Sequence, residues 1–156
     1  MPTSSRPALA LASLLVGAGS CVVCDDDCRA QLTVTVREAG DLPLAAGTWT
    51  FTVVRDAGDP VSETCDVSAA APIANCDGDL DIVARAGLPG TPLQSFEFGF
   101  EADEASDVPA AKIDVRIDRN DEIIYDEQHT PNYDDAKSGQ CADECNAATV
   151  DIRVDD

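Results

Sequence analysis

Cysteine is the residue type with the most chemistry to offer in this chain. Seven cysteines are present, and four of them form two C-x3-C units. Such pairs form disulfides in an oxidising compartment, and they can also supply thiolates to structural zinc. Six cysteines can pair completely, so an odd count assigns a separate role to one of them. The seven are Cys21, Cys24, Cys28, Cys65, Cys76, Cys141 and Cys145.

Spacing favours particular pairings among these cysteines. Cys65 ends one predicted strand and Cys76 precedes the next, with a loop of mostly small residues between them, so we expect these two to pair. Local pairing would also close each C-x3-C unit. If the first and last strands are parallel neighbours, the two units lie at one end of the fold and can instead pair with each other. A four-thiolate zinc site built from the same units is the metal alternative, which an oxidising compartment disfavours.

Acidic clusters offer the oxygen ligands that calcium prefers. Asp77, Asp79 and Asp81 stand at alternate positions, and residues 25–27 and 133–135 carry further carboxylates. The alternation does not continue into a complete calcium loop, because the glycine is misplaced and no glutamate follows at the required distance. The ordinary interpretation is an acidic face in water. We assign no metal ligands and keep calcium binding by acidic loops as the alternative function.

His129 is the only histidine, and the following Thr130 and Pro131 predict a loop at this point. General acid–base catalysis needs such a group positioned against a nucleophile or substrate. No partner for His129 stands out, since the many aspartates would complete an imagined triad anywhere. We therefore expect no enzyme activity and no cofactor.

The elements that must position these residues are β-strands. Apolar residues alternate with polar ones in most of the chain after Gln31, which is the pattern of half-buried strands. The clearest runs cover residues 32–37, 49–53, 79–82, 96–100, 112–118 and 150–155, with weaker strands at 61–67 and 122–128. We predict an all-β fold of seven or eight strands in two antiparallel sheets, of immunoglobulin-like or transthyretin-like topology. An open barrel is the structural alternative.

Turn residues and aromatic residues support that assignment. Arg119-Asn120-Asp121 joins two alternating runs and predicts a tight hairpin, because asparagine tolerates positive φ. Residues 87–92 contain two glycines and two prolines and predict a longer connection. Trp49 and the phenylalanines at 96, 98 and 100 are expected to fill the core, since aromatic residues make up only 4% of the chain.

The N-terminal segment is different in character. A short polar stretch with Arg6 precedes an apolar run at residues 8–18, and small residues end that run. Eleven apolar residues are too few to span a bilayer but suffice for an export signal. We predict a signal peptide at 1–20, a tether at 21–30 and a β-sandwich domain at 31–156. The whole chain has a net charge of −20, and without residues 1–20 nine basic residues stand against thirty acidic ones, a net charge of −21.

The junction Ala18-Gly19-Ser20-Cys21 resembles the lipobox of bacterial lipoproteins, in which small residues precede a lipid-bearing cysteine. The family prefers leucine where Ala18 stands. Ordinary signal peptidase would also accept these residues and would cut the same bond without adding lipid. Cysteine parity favours lipid, because a thioether at Cys21 leaves six cysteines to pair. The resemblance implies acyl chains on Cys21 and an extracytoplasmic location. Val22 in place of aspartate favours the outer membrane.

Two further motifs resemble small bacterial lipoproteins with a single β-sandwich ectodomain. They are Leu42-Pro43-Leu44 ahead of Gly47-Thr48-Trp49-Thr50-Phe51, and Pro131-Asn132-Tyr133 ahead of the last two cysteines. The resemblance implies a lipid-anchored envelope protein with a structural or interaction role. Its expected partners are the membrane, through Cys21, and a protein or polysaccharide of the envelope. The strong negative charge excludes nucleic acid as a partner, because it repels phosphate backbones.

Overall fold

The computed structural model of this protein describes residues 30–102, 108–133 and 147–155. Within those ranges the chain forms nine β-strands and one short 3-10 helix, and no α-helix. In chain order these are β1 (Gln31–Glu38), the 3-10 helix (Ala39–Asp41), β2 (Gly47–Arg55), β3 (Val61–Val67), β4 (Ala74–Gly78), β5 (Val83–Ala86), β6 (Leu93–Glu101), β7 (Ile113–Arg119), β8 (Glu122–His129) and β9 (Ala147–Val154).

The strands form two sheets. One contains four strands in the order β5-β6-β1-β9, and the other contains five in the order β4-β3-β2-β7-β8. Neighbouring strands are antiparallel with one exception, because β1 and β9 run parallel from Gln31 opposite Ala147 to Glu38 opposite Val154. The first and last described strands are therefore parallel neighbours, which is the condition set above for pairing between the two C-x3-C units.

Aromatic side chains join the sheets face to face. The Trp49 and Phe96 ring centroids lie 5.4 Å apart, and those of Phe51 and Phe96 lie 5.0 Å apart in an edge-on arrangement. Since Trp49 and Phe51 belong to β2 and Phe96 to β6, these contacts cross from one sheet to the other. The predicted all-β fold of two packed sheets is thus confirmed, as is the placement of Trp49, Phe96 and Phe98 in its core. The predicted seven or eight strands in purely antiparallel sheets are wrong, because nine strands are described and the β1–β9 pair makes the four-stranded sheet mixed. Phe100 is only half-buried at the edge of the core. The fully buried set also contains Leu32, Ile113, Ile117, Ile152, Val34, Val36, Val53, Val115 and Val154.

The strand predicted at residues 79–82 is wrong. Leu80 and Ile82 are buried as their alternation indicated, but the backbone there forms bends and β5 begins only at Val83. The cause is the buried carboxylate of Glu63 on β3. It accepts hydrogen bonds from the amides of Leu80 at 2.8 Å and Ile82 at 3.1 Å. Asp81 between them has a φ of 52°, a left-handed value that a regular strand does not contain.

Two other strand expectations need correction. Cys76 does not precede a strand but lies within β4, directly opposite Cys65 on β3. Not every strand has one apolar face: β4, β5 and β8 contain no fully buried residue. All three are edge strands. The hairpin at Asn120 and Asp121 is confirmed, with φ values of 52° and 67° that suit a two-residue turn between twisted strands.

Because successive strands alternate in direction, the loops that join them lie at the two ends of the sandwich. Four described connections lie at the end where β1 finishes. One is the hairpin at Asn120 and Asp121, which is hydrogen-bonded to Thr48. The other three, at residues 42–46, 68–73 and 87–92, we call together the loop cap. The opposite end holds the beginning of β1, where the Ala102 amide donates to the Ala30 carbonyl at 2.9 Å. Among the described residues no helix is long and apolar enough to cross a bilayer.

Candidate functional site

The loop cap surrounds an open, mostly apolar cleft of about 420 Å³. All three of its loops contribute to the walls, as do the ends of β3 and β6. A hydrogen bond of 2.8 Å from the Leu44 amide to the Leu93 carbonyl joins the first loop to β6. Three prolines line the cleft, and their fixed φ limits the freedom of each loop. These residues are Pro43, Pro72 and Pro92.

Large apolar side chains are also exposed at this end. Leu42 is 55% exposed, Ile73 53% and Leu88 68%, and each belongs to or borders a different loop of the cap. Isolated exposed apolar residues are common on protein surfaces, but clustered ones mark binding surfaces. Each of these three residues is next to one that lines the cleft or lies in a loop that does, so the loop cap is the best candidate interaction site in the described part of the chain.

Two features under the cap hold its loops in place. The Trp49 indole is fully buried, and its Nε1–H donates to the Ala45 carbonyl at 2.9 Å. A disulfide joins Cys65 to Cys76 and so ties together the two strands that flank residues 68–73. Within that loop the Ser68 amide donates to the Ile73 carbonyl at 3.1 Å. The cleft is therefore formed in the free protein, which lowers the entropic cost of binding.

A buried ion pair supports the same region. Glu38 ends β1 in one sheet and Arg119 ends β7 in the other, and their Oε1 and Nη1 atoms lie 2.9 Å apart. Glu38 also accepts from the Ala45 amide at 3.2 Å. The Arg119 guanidinium lies over the Trp49 ring, 5.4 Å from its centroid, so the pair contacts the side chain that orients the first loop.

A second cavity of about 320 Å³ lies beside the cleft, on the outer face of the four-stranded sheet. Its polar lining includes Arg37, Arg85, Gln94 and Ser95. Arg37 on β1 stands opposite Ser95 on β6, and Ser95 stands opposite Arg85 on β5. On its other side Arg37 stands opposite Arg153 on β9. One transverse row of the sheet thus carries three arginines in a strongly acidic protein.

Carboxylates compensate this arginine row. Asp41 lies 2.5 Å from Arg153, and that guanidinium lowers the pKa of the Asp41 carboxyl below its usual value. Glu97 accepts from the Nε of Arg85. Arg37 is held less closely than the other two arginines. In the described ranges its ion-pair partner is Asp151, whose carboxylate oxygen is 3.7 Å away and beyond hydrogen-bond distance.

A scan against protein-family models, a search of curated proteins and a search of solved structures found no significant match to this chain.

The structure describes two of the six cysteines that were predicted to form disulfides. Cys65 and Cys76 are joined, as expected from their spacing. The predicted lipidation site Cys21 and the two C-x3-C units lie outside the described residues. Their pairing therefore stays a prediction. The four cysteines concerned are Cys24, Cys28, Cys141 and Cys145.

The acidic residues considered as calcium ligands do not form a cluster in the described part of the chain. Asp77, Asp79 and Asp81 are all exposed. In the described ranges, the one group of three potential ligand atoms lying within 4.8 Å of each other belongs to Glu63, Cys65 and Cys76. Its two sulfurs are bonded to each other, so they are not thiolates. The acidic residues at 25–27 and 134–135 lie outside the described ranges.

His129 lies at the end of β8 and not in the loop that its neighbours predicted. Its Nε2 is 2.7 Å from the Tyr125 hydroxyl, and the two rings are nearly parallel. Burial, together with the neighbouring Glu127, raises the pKa of Tyr125 to about 12. Neither of the two cavities described above is lined by His129. The histidine is thus one member of a hydrogen-bonded row on an outer strand.

Sequence reasoning missed the loop cap as a site. A signal for it exists, because residues 42–54, 67–75 and 86–96 contain no charged side chain in a chain with thirty acidic residues. Uncharged stretches containing Leu42, Ile73 and Leu88 stand out against that background. Their convergence on one cleft depends on strand order, which spacing along the chain does not reveal.

Proposed function

We propose that this protein is a lipid-anchored interaction module of a bacterial cell envelope that presents its loop cap to a partner. The observation that carries the proposal is that the predicted tether and the loop cap lie at opposite ends of the domain. The tether predicted at residues 21–30 leads into the start of β1, whereas the loop cap lies where β1 ends. Eight residues of strand separate the two ends by about 26 Å at 3.3 Å per residue.

Lipid on Cys21 provides the attachment. The lipobox-like junction and the parity of the remaining six cysteines support it. Several acyl chains on one residue are sufficient for stable anchoring. The mature charge of −21 opposes contact with anionic headgroups, so the lipid and not the protein surface holds the domain at the membrane.

The finer class of the sandwich also belongs to this proposal. We assign an immunoglobulin-like or transthyretin-like topology, in line with the motifs at residues 42–51 and 131–133. Two packed sheets and the parallel pairing of β1 with β9 are compatible with such a module. In small sandwiches of this kind, function resides in loops at one end, which agrees with a role for the loop cap.

Membrane fractionation tests the anchor. Cys21→Ser removes the lipid acceptor but leaves small residues on both sides of the cut site. We expect the unaltered protein to remain with membranes after a high-salt wash and to enter solution only with detergent. The Cys21→Ser protein should be soluble without detergent, while Ser20→Ala, the matched control next to it, should remain with membranes. An unaltered protein released by salt alone would refute lipid anchoring.

A further inference from the structure

The loops of the loop cap differ from the rest of the chain in carrying no charge. The chain carries a net charge of −20, yet residues 42–46, 68–73 and 87–92 contain no charged side chain. The arginine row at positions 37, 85 and 153 borders this uncharged area on the four-stranded sheet. These loops therefore add no repulsion toward an acidic ligand, and the acidic residues described at this end include Asp41 in the cavity lining and Asp121 in the hairpin between β7 and β8.

The apolar cleft and the arginine-lined cavity are adjacent. Leu93 lines the cleft, and the next two residues, Gln94 and Ser95, line the cavity. Between β1 and β2 as well, residues two positions apart line the two cavities: Asp41 lines the arginine-lined cavity and Pro43 lines the cleft. One ligand can thus occupy both by crossing the strand segment that begins at Leu93.

Arg37 is the group best placed to recognise an anion in that cavity. Its ion-pair distance of 3.7 Å to Asp151 is too long for a hydrogen bond, and its side chain is 37% exposed. The guanidinium can therefore turn its donors toward a ligand without breaking an internal hydrogen bond seen in the described ranges. Planar guanidinium groups match carboxylates in a two-point geometry, and the Ser95 hydroxyl and Gln94 amide add neutral donors.

We propose that the loop cap binds an extended segment of a partner protein in which an apolar side chain stands next to a carboxylate. The apolar side chain occupies the cleft between Leu44 and Pro72, and the carboxylate pairs with Arg37. This proposal rests on the proposed interaction role. It favours a protein over a polysaccharide because proline, leucine and alanine form most of the cleft wall, and their side chains offer sugar hydroxyls no hydrogen-bond partners.

Peptide titration followed by amide NMR shifts tests the proposal. The probes are acetyl-Ala-Leu-Ala with a free C-terminal carboxylate and the same peptide with a C-terminal amide. The protein is the exported mature chain carrying Cys21→Ser. We expect the free acid to shift amides of residues 68–73 and 93–95 and to bind at least five-fold more tightly than the amide.

Two arginine variants make the result specific. Arg37→Gln should reduce binding of the free acid to the level of the amide and leave amide binding unchanged. Arg116→Gln is the matched control, because Arg116 is also exposed and ion-paired but lies on the five-stranded sheet. It should bind the free acid like the unaltered protein.

Three results would overturn the inference. They are equal binding of the two peptides, absence of shifts at 10 mM peptide, and shifts caused by oligogalacturonate at residues 93–95 without any at 68–73. The last would assign the arginines to an acidic polysaccharide. None of them affects the fractionation of Cys21→Ser, so failure of this inference is distinguishable from failure of the anchor.

Discussion

Arg119 Nη1 lies 2.9 Å from Glu38 Oε1, and this contact joins the last residue of β7 to the last residue of β1 across the two sheets. Both side chains are largely buried, with exposed fractions of 14% and 4%. Removal of the Glu38 carboxylate takes a charged partner from Arg119 and the acceptor from the Ala45 amide. The contact therefore links the stability of the sandwich to the position of the first cap loop, through the Ala45 amide on the same carboxylate.

We expect Glu38→Ala to lower the free energy of unfolding by about 1.5–3 kcal/mol, because it removes the hydrogen bonds that this carboxylate accepts from Arg119 and from the Ala45 amide. Chemical denaturation monitored by fluorescence of Trp49, the only tryptophan, gives the value. Asp151→Ala is the control, since it breaks the exposed ion pair with Arg37, in which the two side chains are 37% (Arg37) and 53% (Asp151) exposed, and should change stability by at most about 1 kcal/mol. Equal effects of the two substitutions would contradict an energetic role for the buried pair.

Trp49→Phe should both destabilise the protein and loosen the first cap loop. The substitution removes the indole donor and leaves the Ala45 carbonyl without that partner, at a cost of about 1–3 kcal/mol. Hydrogen exchange of the amides of residues 44–46 should become faster, while exchange in β7 relative to global unfolding should not change. If the loop amides exchange only through global unfolding in both the unaltered protein and Trp49→Phe, the tryptophan does not hold the loop.

The disulfide should contribute to stability and to the shape of the cleft. Cys65 and Cys76 are separated by 11 positions, and closure of a loop of that size is worth about 3 kcal/mol by chain-entropy arguments. We expect Cys65→Ala with Cys76→Ala to unfold at correspondingly lower denaturant concentration and to show faster exchange at residues 68–73. An unchanged midpoint would mean that packing alone holds β3 and β4 together.

Alkaline titration tests the row on β8. The structure contains Tyr125 with a pKa of about 12, raised chiefly by burial and also by Glu127. A group whose pKa is raised on folding stabilises the protein below its unfolded pKa, here near 10, and that stabilisation is lost as the pH rises through 12. Absorbance at 295 nm should show a tyrosine transition near pH 12 that Tyr125→Phe removes. Titration of both tyrosines near pH 10 would contradict this placement.

Much of the fold is predictable from local pattern. Alternation located β1 and β7 because each has one face toward the core, and Asn120 with Asp121 located the hairpin because few residues accept positive φ. Alternation failed at residues 79–82, where Leu80 and Ile82 are buried around the carboxylate of Glu63. These hydrogen bonds override the local alternation, and the partners are 17 and 19 positions apart, farther than the few residues over which strand alternation is judged.

The candidate site was less accessible to such reasoning. The row that contains Arg37, Arg85 and Arg153 exists only because of the register among four strands, one of them paired in parallel. The cleft likewise depends on three loops that are distant in sequence. Composition did hold one clue, since the cap loops are uncharged in a chain where nearly one residue in five is acidic.

Intact mass of the non-reduced protein, extracted from membranes with detergent, tests the central claim most directly. We predict a chain that begins at Cys21, carries the mass of a diacylglyceryl group and an N-linked acyl chain, and lacks six hydrogens because three disulfides have formed. Reduction should restore those six hydrogens without removing the lipid. A chain that begins at Cys21 without acyl mass, or one that retains residues 1–20, would contradict the anchored module proposed for this protein.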